Sequence, residues 1–479
     1  MSSDNLEFKE VSSPADVIIV GAGISGLSIG YYLHQRQPDW HIRVLEASHR
    51  AGGTIWTEHS HGFTLEYGPN GFLANKTSTL DLIHQLGLES ELISAQPAAR
   101  YRYVYDGQKL HRLPDGLWSF LRFALLPWLS KWAILTERWR RRSPPDEEES
   151  ISAFISRRTD AATADLLGEL LVTGIYAGDP NQLSMRACFP RIVALEQQYG
   201  SVTRGFLHAA RQRKRLAQQE GRAYLRGSQL LSLRGGLRSL IDKLTDKLQQ
   251  SLILNRAVQR IEYVPNTSPV CWRVITDRAI YLSRRLVLAC PAYVQAQLLR
   301  SIDESLADLV GTIPYVPIIV IALGYKEEQL VRPLNGFGYL TLRRSKSIML
   351  GAQWCSSIFP YRAPSGHVLI RYMTGGVRQP HILDYSDAEL VQLAHEEACQ
   401  VLGITSPPVY NMVIRWPRAI PQYILGHLAR LSKIQDTLKR LPGLYLAGNA
   451  YHGVSLNDCT EQASLLADQI IRHTLSSLE

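Results

Sequence analysis

Residues 16–53 constrain this chain more than any other stretch. Asp16-Val17-Ile18-Ile19-Val20 is an apolar, β-branched run of the kind that forms a strand buried in a parallel sheet. Gly21-Ala22-Gly23-Ile24-Ser25-Gly26 follows at once, and then a helical pattern from about Ile24 to Gln35. Gly21 lets the chain turn sharply off the strand. Gly23 lets the backbone approach a pyrophosphate, and Gly26 lets helix and strand pack closely. The phosphates would sit on the helix N-terminus, where free N–H groups and the dipole favour anions. A second strand, His41-Ile42-Arg43-Val44-Leu45, ends at Glu46, where a carboxylate should meet a ribose hydroxyl. A lone glycine triplet is a weak signal. Strand, helix, second strand and acid in register make this a dinucleotide-binding unit, and Glu46 argues against a ribose 2′-phosphate.

At 479 residues the chain has room for two or three domains with ample core. Hydrophobic content of 45 % with 20 % charge is ordinary for a soluble globular protein. The net charge of +9 and pI near 9.2 point to an acidic partner: anionic lipid, an acidic substrate or nucleic acid. Cysteines 188, 271, 290, 355, 399 and 459 are scattered without a Cys-x-x-Cys, as buried thiols in a reducing compartment would be. His59 and His61 have no partner ligands clustered near them, so no metal is expected. Met1 to Ala15 is polar with both charge signs and no apolar core, which reads as a flexible tail and not a secretory signal.

Residues 62–70 give a short strand into a Gly-Pro turn, and Thr79 to Leu86 a short amphipathic helix ended by Gly87. Tyr101 to Tyr105 is a strand, Asp106-Gly107 a hairpin turn, and Lys109 to Leu113 its return. Leu117 to Leu135 has the length of a membrane span, but Arg122, Lys131 and Pro127 make crossing costly. On one helix, Leu117, Leu121, Leu125, Trp128, Trp132 and Leu135 would line a stripe. With Arg138, Arg140, Arg141 and Arg142 beyond it, that stripe suits an anionic bilayer surface as well as packing on its own domain. Residues 144–150 form an acidic linker, and residues 151–172 read as helices running into a glycine-bearing turn from Gly174 to Ala187. Arg211 to Arg226 is basic with one aromatic, Tyr224, and not the interleaved set a nucleic-acid stacking surface needs, so it reads as a solvated face.

Leu233 to Leu237 opens a helix to about Gln250, and Leu252 to Ile261 is a strand returning to the first sheet. Trp272 to Thr276 and Ala279 to Leu282 form a hairpin, with Arg285 to Cys290 a separate buried strand. Residues 312–435 alternate short strands and turns with one helix near Asp387 to Leu402, a separate α+β region. Leu444 to Ala447 is a strand into Gly448-Asn449, and Gly453 leads to a helix from about Asn457 to Ser477. A helix N-terminus at that turn would stabilise negative charge on a bound cofactor.

Arg50-Ala51-Gly52-Gly53 resembles the Arg-x-Gly-Gly continuation of FAD enzymes of the amine oxidase and protoporphyrinogen oxidase group. Other segments are more specific: Gly68-Pro69-Asn70, Gly174 to Ala187, Arg234-Gly235-Gly236-Leu237, Phe359 to Pro364, Trp416 to Tyr423 and Leu446-Ala447-Gly448-Asn449. Together they resemble the oxygen-dependent, plant-plastid-like protoporphyrinogen oxidases over nearly the full chain. The resemblance implies an α/β and α+β chain in three parts. These are a Rossmann-type FAD-binding domain (1–93, 233–300, 437–479), an inserted helical membrane-docking domain (94–205), and an α+β substrate domain (206–232, 301–436). It implies one non-covalent FAD held by Gly21, Gly23, Ile24, Ser25, Gly26, Glu46, Ala47, Arg50, Gly52, Gly53, Thr54, Gly68, Pro69, Asn70, Val258, Ala289, Gly448, Asn449, Val454 and Ser455. No Cys or His occupies a recognised flavin-attachment motif.

By the same resemblance Arg102 pairs with a substrate propionate, Leu340 and Met373 sandwich the macrocycle, and Gly178 lines the pocket. Asn70 matches a polar residue next to the flavin, and with Arg102 it is the catalytic candidate. Gln353 is placed in the substrate pocket too, as a departure, since plant relatives tend to carry an apolar residue at that wall. The implied reaction oxidises protoporphyrinogen IX to protoporphyrin IX in three two-electron steps, within haem or chlorophyll biosynthesis. Hydride leaves a methylene carbon for the flavin, pyrrole N–H protons leave by tautomerisation, and molecular oxygen is the acceptor. Implied partners are the porphyrinogen, oxygen and a membrane surface, with a homodimer left open. Implied localisation is cytoplasmic and peripherally membrane-associated, or the plastid equivalent. Coproporphyrinogen III oxidation, an amine oxidase, a carotenoid desaturase and a non-catalytic FAD-binding adaptor remain alternatives. For an amine oxidase, Asn449-Ala450-Tyr451-His452 supplies at most one aromatic of the expected cage.

Overall fold

Apolar strands that need cover on both faces organise the first layer. The computed structural model describes residues 9–10, 13–140, 142, 147–219, 229–264 and 272–475. Most of the N-terminal tail, Arg141, part of the acidic linker, residues 220–226 of the basic segment, Cys271 and the last residues of the C-terminal helix lie outside the described residues. Ala15–Val20, Ile42–Leu45 and Leu252–Ile253 pair in parallel, and Ala279–Leu288 joins Ala15–Val20 on the other side. Trp272–Thr276 and Val258–Tyr263 extend this eight-stranded sheet, and Leu444–Leu446 lies parallel to the second half of Ala279–Leu288. One face is covered by helices Ile24–Arg36, Ser78–Gln85, Arg238–Lys247 and Leu456–Leu475. The other is covered by Ala292–Leu299, Glu304–Gly311 and His427–Leu438.

Two strand boundaries differ from the sequence expectation. The hairpin return and the strand at 285–290 are one ten-residue strand, Ala279–Leu288. Its first half pairs antiparallel with Trp272–Thr276 and its second half parallel with Ala15–Val20, so both halves are hydrogen-bonded without a break. The expected strand 252–261 is instead two, Leu252–Ile253 and Val258–Tyr263, because Asn255 turns the chain with φ of 52°.

A second, seven-stranded sheet runs in the order Tyr410–Pro421, Tyr315–Lys326, His367–Gly375, Met349–Trp354, Gly338–Thr341, Arg102–Tyr105, Leu110–Arg112. Helix Asp387–Leu402 covers one of its faces. The 102–112 hairpin is therefore an edge of this sheet, joined through the parallel pair Arg102–Tyr105 and Gly338–Thr341, while the described elements between residues 117 and 219 are all helical. Leu230–Leu233 pairs with Phe72–Leu73 and Leu92–Ser94 in a small sheet beside the first layer.

The apolar segment 117–135 is two helices, Leu117–Leu121 and Trp128–Leu135, and not one striped helix. Pro127 has no N–H to continue a helix and stands at the start of the second one. Phe123, Leu126 and Ala133 turn inward, and Lys131 is buried with its Nζ donating to the Leu121 carbonyl at 2.8 Å. Leu117, Trp118, Trp128, Leu129, Trp132, Leu135 and Trp139 stay exposed on this tip. The tip is anchored at its far end by buried Glu137, which accepts from Arg158, Ser201 and the Val202 N–H. No described helix is long and apolar enough to cross a membrane.

Candidate active site

Parallel strands deliver their C-terminal ends to one edge of a sheet, and here four such ends converge. Gly21 follows Val20, Glu46 follows Leu45, Ala289 follows Leu288, and Gly448 lies two residues past Leu446. The Ala289 N–H donates to the Val20 carbonyl, and Gly448 lies against the carbonyls of Ala289 and Cys290. A ligand at such an edge meets the crevice where open α/β sheets bind nucleotides.

The glycines do different work. A Cβ on Gly26 would fall 1.9 Å from the Gly21 carbonyl oxygen, so only glycine lets the helix lie on the strand. Gly23 is the opposite: a Cβ there meets nothing within 4 Å. It opens on space beside the first turn of helix Ile24–Arg36, whose N-cap is Gly23, with no capping side chain and no acid in the first turn. Gly52 pairs with Gly23, and the Gly52 N–H donates to the Ala22 carbonyl at 2.8 Å, laying the second glycine loop along the first. Glu46 Oε2 accepts from the Ala22 N–H at 2.8 Å, and its Oε1 accepts from Ser48, so the acid is fixed at the strand end. Arg50 stacks its guanidinium 4.7 Å over the Trp56 ring, whose other neighbour is the Arg238 guanidinium at 4.0 Å. Free helix N–H groups, an open glycine cradle, a ribose-type acid and a held arginine fit the diphosphate and ribose of a dinucleotide. Ala47, Gly53 and Thr54 lie exposed around this cradle, and Val258 begins its strand nearby.

The Gly68-Pro69-Asn70 segment rests on a buried polar network that the sequence did not reveal. Gly68 has no room for a Cβ, which would fall 2.2 Å from the Thr54 carbonyl oxygen. Glu66 is buried and accepts from the Leu237 N–H at 2.8 Å, Thr57 Oγ1 at 2.8 Å and Arg362 Nη2 at 3.0 Å. Burial raises the Glu66 pKa, and Arg362 works against that rise. Arg362 also donates to Ser232 Oγ. Two of the segments that carried the family resemblance, Arg234–Leu237 and Phe359–Pro364, thus meet at one carboxylate two residues before Gly68. Arg371 is buried too, and donates to the Gly68 carbonyl at 2.5 Å and to Gln353 Oε1 at 3.2 Å. Asn70 is buried with Nδ2 4.0 Å from Cys355 Sγ. Removing one partner from a buried pair strands the other charge, at a cost of ~3–5 kcal/mol. Arg362→Leu should therefore lower unfolding free energy by that amount in urea titration, and an unchanged midpoint would show that Glu66 needs no counter-charge.

The C-terminal loop is braced from below. Tyr423 Oη donates to the Asn449 carbonyl at 2.5 Å and accepts from the Gly453 N–H at 2.9 Å. Gln295 Nε2 donates to the carbonyls of Cys290 and Ala447. Ser455 and Asp458 cap each other at the start of helix Leu456–Leu475, and Lys76 pairs with Asp458 at 2.7 Å. Val454 packs into the helical core beside Tyr423. His427 is fully buried and stacks on Tyr423 with ring centroids 4.3 Å apart. Burial pulls its pKa down to about 4. The folded state thus holds His427 neutral while the unfolded chain, with pKa ~6.5, takes up a proton. The associated stability is complete above about pH 6.5 and is lost as pH falls toward about 4, a change of ~3 kcal/mol. His427→Phe should flatten that part of the stability profile, and an unaltered slope would assign it to other groups.

The strand register assembles the second half of the site. Arg102, Gly338, Gln353 and Arg371 lie opposite one another in one cross-strand row, and Val104, Leu340, Gly351 and Met373 in the next. Both rows face away from helix Asp387–Leu402. Arg102 stacks 4.9 Å over the Phe337 ring and has no carboxylate partner among the described residues. Its guanidinium is open to solvent yet walled by protein, and that desolvation lowers its pKa. Asp106, the nearby acid, is occupied by His111 and by the N–H groups of Gln108 and Lys109. Leu340 reaches Gly174 on the facing helix Glu169–Ile175. Gln353 spends its Oε1 on Arg371. Gly178 is buried, and its missing Cβ makes room for Gln422, whose Nε2 donates to the Tyr176 carbonyl at 2.8 Å. A separate cavity of about 1150 Å³ runs along the edge strand Leu444–Leu446 and shares only Ser25 and Gly448 with the expected cofactor residues.

The family described as flavin containing amine oxidoreductase matches residues 24–471. The chain is 33 % identical over 470 residues to the chloroplastic protoporphyrinogen oxidase of Nicotiana tabacum, covering 95 % of this chain and 85 % of the relative. It is 26 % identical over 475 residues to coproporphyrinogen III oxidase of Bacillus subtilis, covering 96 % and 98 %. A crystal structure from Exiguobacterium sp. 255-15, provisionally assigned as a protoporphyrinogen oxidase, superposes with a TM-score of 0.80 at 27 % identity, covering 96 % of this chain and 99 % of that one.

Proposed function

We propose, for a chain that belongs to the flavin containing amine oxidoreductase family, that it oxidises protoporphyrinogen IX to protoporphyrin IX with FAD as cofactor and oxygen as acceptor. The observation that carries this reading is the sheet face on which an exposed, acid-free Arg102 stands beside the apolar row Val104, Leu340 and Met373. A porphyrinogen is a large apolar ring with carboxylates at its rim, and it needs an apolar slot with a cation at the mouth. Arg102 would hold a propionate in its planar fork, while Leu340 and Met373 flank the ring and exclude water. The cradle at Gly23, Gly52 and Glu46 would hold the diphosphate and ribose, with Arg50 available to a phosphate. When bound, FAD supplies an acceptor for the hydride that leaves a methylene carbon of the substrate.

Side-by-side turnover of protoporphyrinogen IX and coproporphyrinogen III by purified yellow protein tests this, with oxygen uptake as readout. Preference for the four-carboxylate substrate would move the chain to the coproporphyrinogen reading, which the Bacillus relative represents. Absence of oxygen uptake with either would remove the oxidase reading. The same protein should release its flavin into the supernatant on acid precipitation, since the bond is non-covalent.

The exposed tip of Trp118, Trp128, Leu129, Trp132, Leu135 and Trp139 also supports peripheral docking on a membrane, with Arg122, Arg138, Arg140 and Arg142 at its margin. Aromatic and leucine side chains enter the interface while arginines meet anionic headgroups. Co-sedimentation with vesicles should rise with anionic lipid content and fall with salt, and Trp128→Glu/Trp132→Glu should abolish it. Retention by the double variant would place docking elsewhere.

A further inference from the structure

The Glu66–Arg362 pair beneath Gly68-Pro69-Asn70 is a one-to-one match of charges. Arg371 adds a second guanidinium to the same buried region, 4 % exposed, with no carboxylate within ion-pair distance among the described residues. Its Nη2 is committed to the Gly68 and Tyr67 carbonyls, its Nη1 to Gln353 Oε1, and its Nε has no hydrogen-bond partner among the described residues. Glu66 attracts it from beyond ion-pair distance but is already paired with Arg362, so two buried guanidiniums share one carboxylate, and this region would accept a further negative charge. A buried arginine keeps its charge at any physiological pH, unlike lysine or histidine.

Resting on the FAD reading above, we propose that Arg371 is a positioning residue for the redox reaction. Its guanidinium, only partly balanced by the Glu66 that Arg362 already engages, held by Gln353 and fastened to the backbone of Gly68, favours the negative charge that a flavin acquires on two-electron reduction. Two consequences distinguish this from a structural clamp. The charge makes reduction of the bound flavin easier. Gln353 sits on the substrate face, in the same row as Arg102 and one strand from Arg371, so it links substrate occupancy to the Gly68 backbone. The row places Arg371 roughly 14 Å from Arg102 at the usual strand spacing, too far for the two to share one carboxylate.

The test is the midpoint potential of the bound flavin, measured by anaerobic dye-linked reduction on wild type, Arg371→Met, Arg371→Lys and Gln353→Leu. Arg371→Met should be at least tenfold harder to reduce, a fall of about 30 mV for two electrons. Arg371→Lys should recover most of that fall, because it keeps the charge. Gln353→Leu should shift the potential in the same direction by a smaller amount. If Arg371→Met melts earlier but keeps the wild-type potential, Arg371 is a clamp and the proposal is wrong. If that variant does not accumulate, Gln353→Leu decides, and a wild-type potential there overturns the proposal. A wild-type protein that purifies without any flavin would instead overturn the FAD reading on which this rests.

Discussion

Gly23→Val is expected to yield a folded, colourless protein. Gly23 has φ of −70° and ψ of 176°, a conformation open to any residue, and a Cβ there touches nothing within 4 Å. The fold therefore has no steric quarrel with a side chain at this position. The cost is confined to a poorer N-cap, about 1 kcal/mol. The cofactor fares differently, because the space that valine fills is the space over the helix N–H groups. A pyrophosphate displaced from them loses charge-assisted hydrogen bonds contributing ~1.5–3 kcal/mol each. Two such bonds amount to a weakening of FAD binding by at least about a hundredfold. Gly26→Ala is the control with the reverse outcome, since its Cβ clashes with the Gly21 carbonyl oxygen and no soluble protein should form. Far-UV circular dichroism and flavin absorbance on the same sample separate the two effects. A yellow Gly23→Val protein with one flavin per chain would place the phosphates elsewhere.

Arg102→Ala should raise KM for the porphyrinogen about ten- to a hundredfold while leaving the flavin spectrum unchanged. A bidentate pair between guanidinium and propionate contributes ~1.5–3 kcal/mol, which sets that range. The structure removes the competing explanation that Arg102 holds its own hairpin together. Its local acid, Asp106, is saturated by His111 and two backbone N–H groups, and among the described residues the Arg102 side chain makes only a ring contact, with Phe337. The melting temperature should accordingly change little. Arg102→Lys should restore part of the affinity, because an ammonium keeps the charge and loses the fork. A lower melting temperature with normal KM would take Arg102 out of the substrate site.

The division between what the residue string and the folded chain decide is visible at particular positions. The unit from Asp16 to Gly53 was legible because its elements are local: an apolar run, a glycine turn, a 3.6-residue period and an acid at fixed spacing are set by backbone sterics and nearest neighbours. The resemblance of its distant motifs to one family was legible too, although not the reason for them. Glu66, Arg362 and the stretch from Ser232 to Leu237 lie far apart in the chain and are drawn together only by the folded structure. A charged residue in a strand looks solvated until its neighbours are known, so Arg371 carried no signal, and Gln353 read as a pocket wall when its amide is committed to Arg371. The stripe expected on residues 117–135 failed for a local reason that periodicity overrides poorly: Pro127 divides it, so half of its apolar side chains turn inward and half remain on the surface. Sequence alone thus determined the nucleotide-binding unit, because its physics is short-range. Which buried charges balance, which arginine stays without a carboxylate partner and which apolar residues stay outside were decided by tertiary structure, because desolvation depends on what the rest of the chain brings to each side chain.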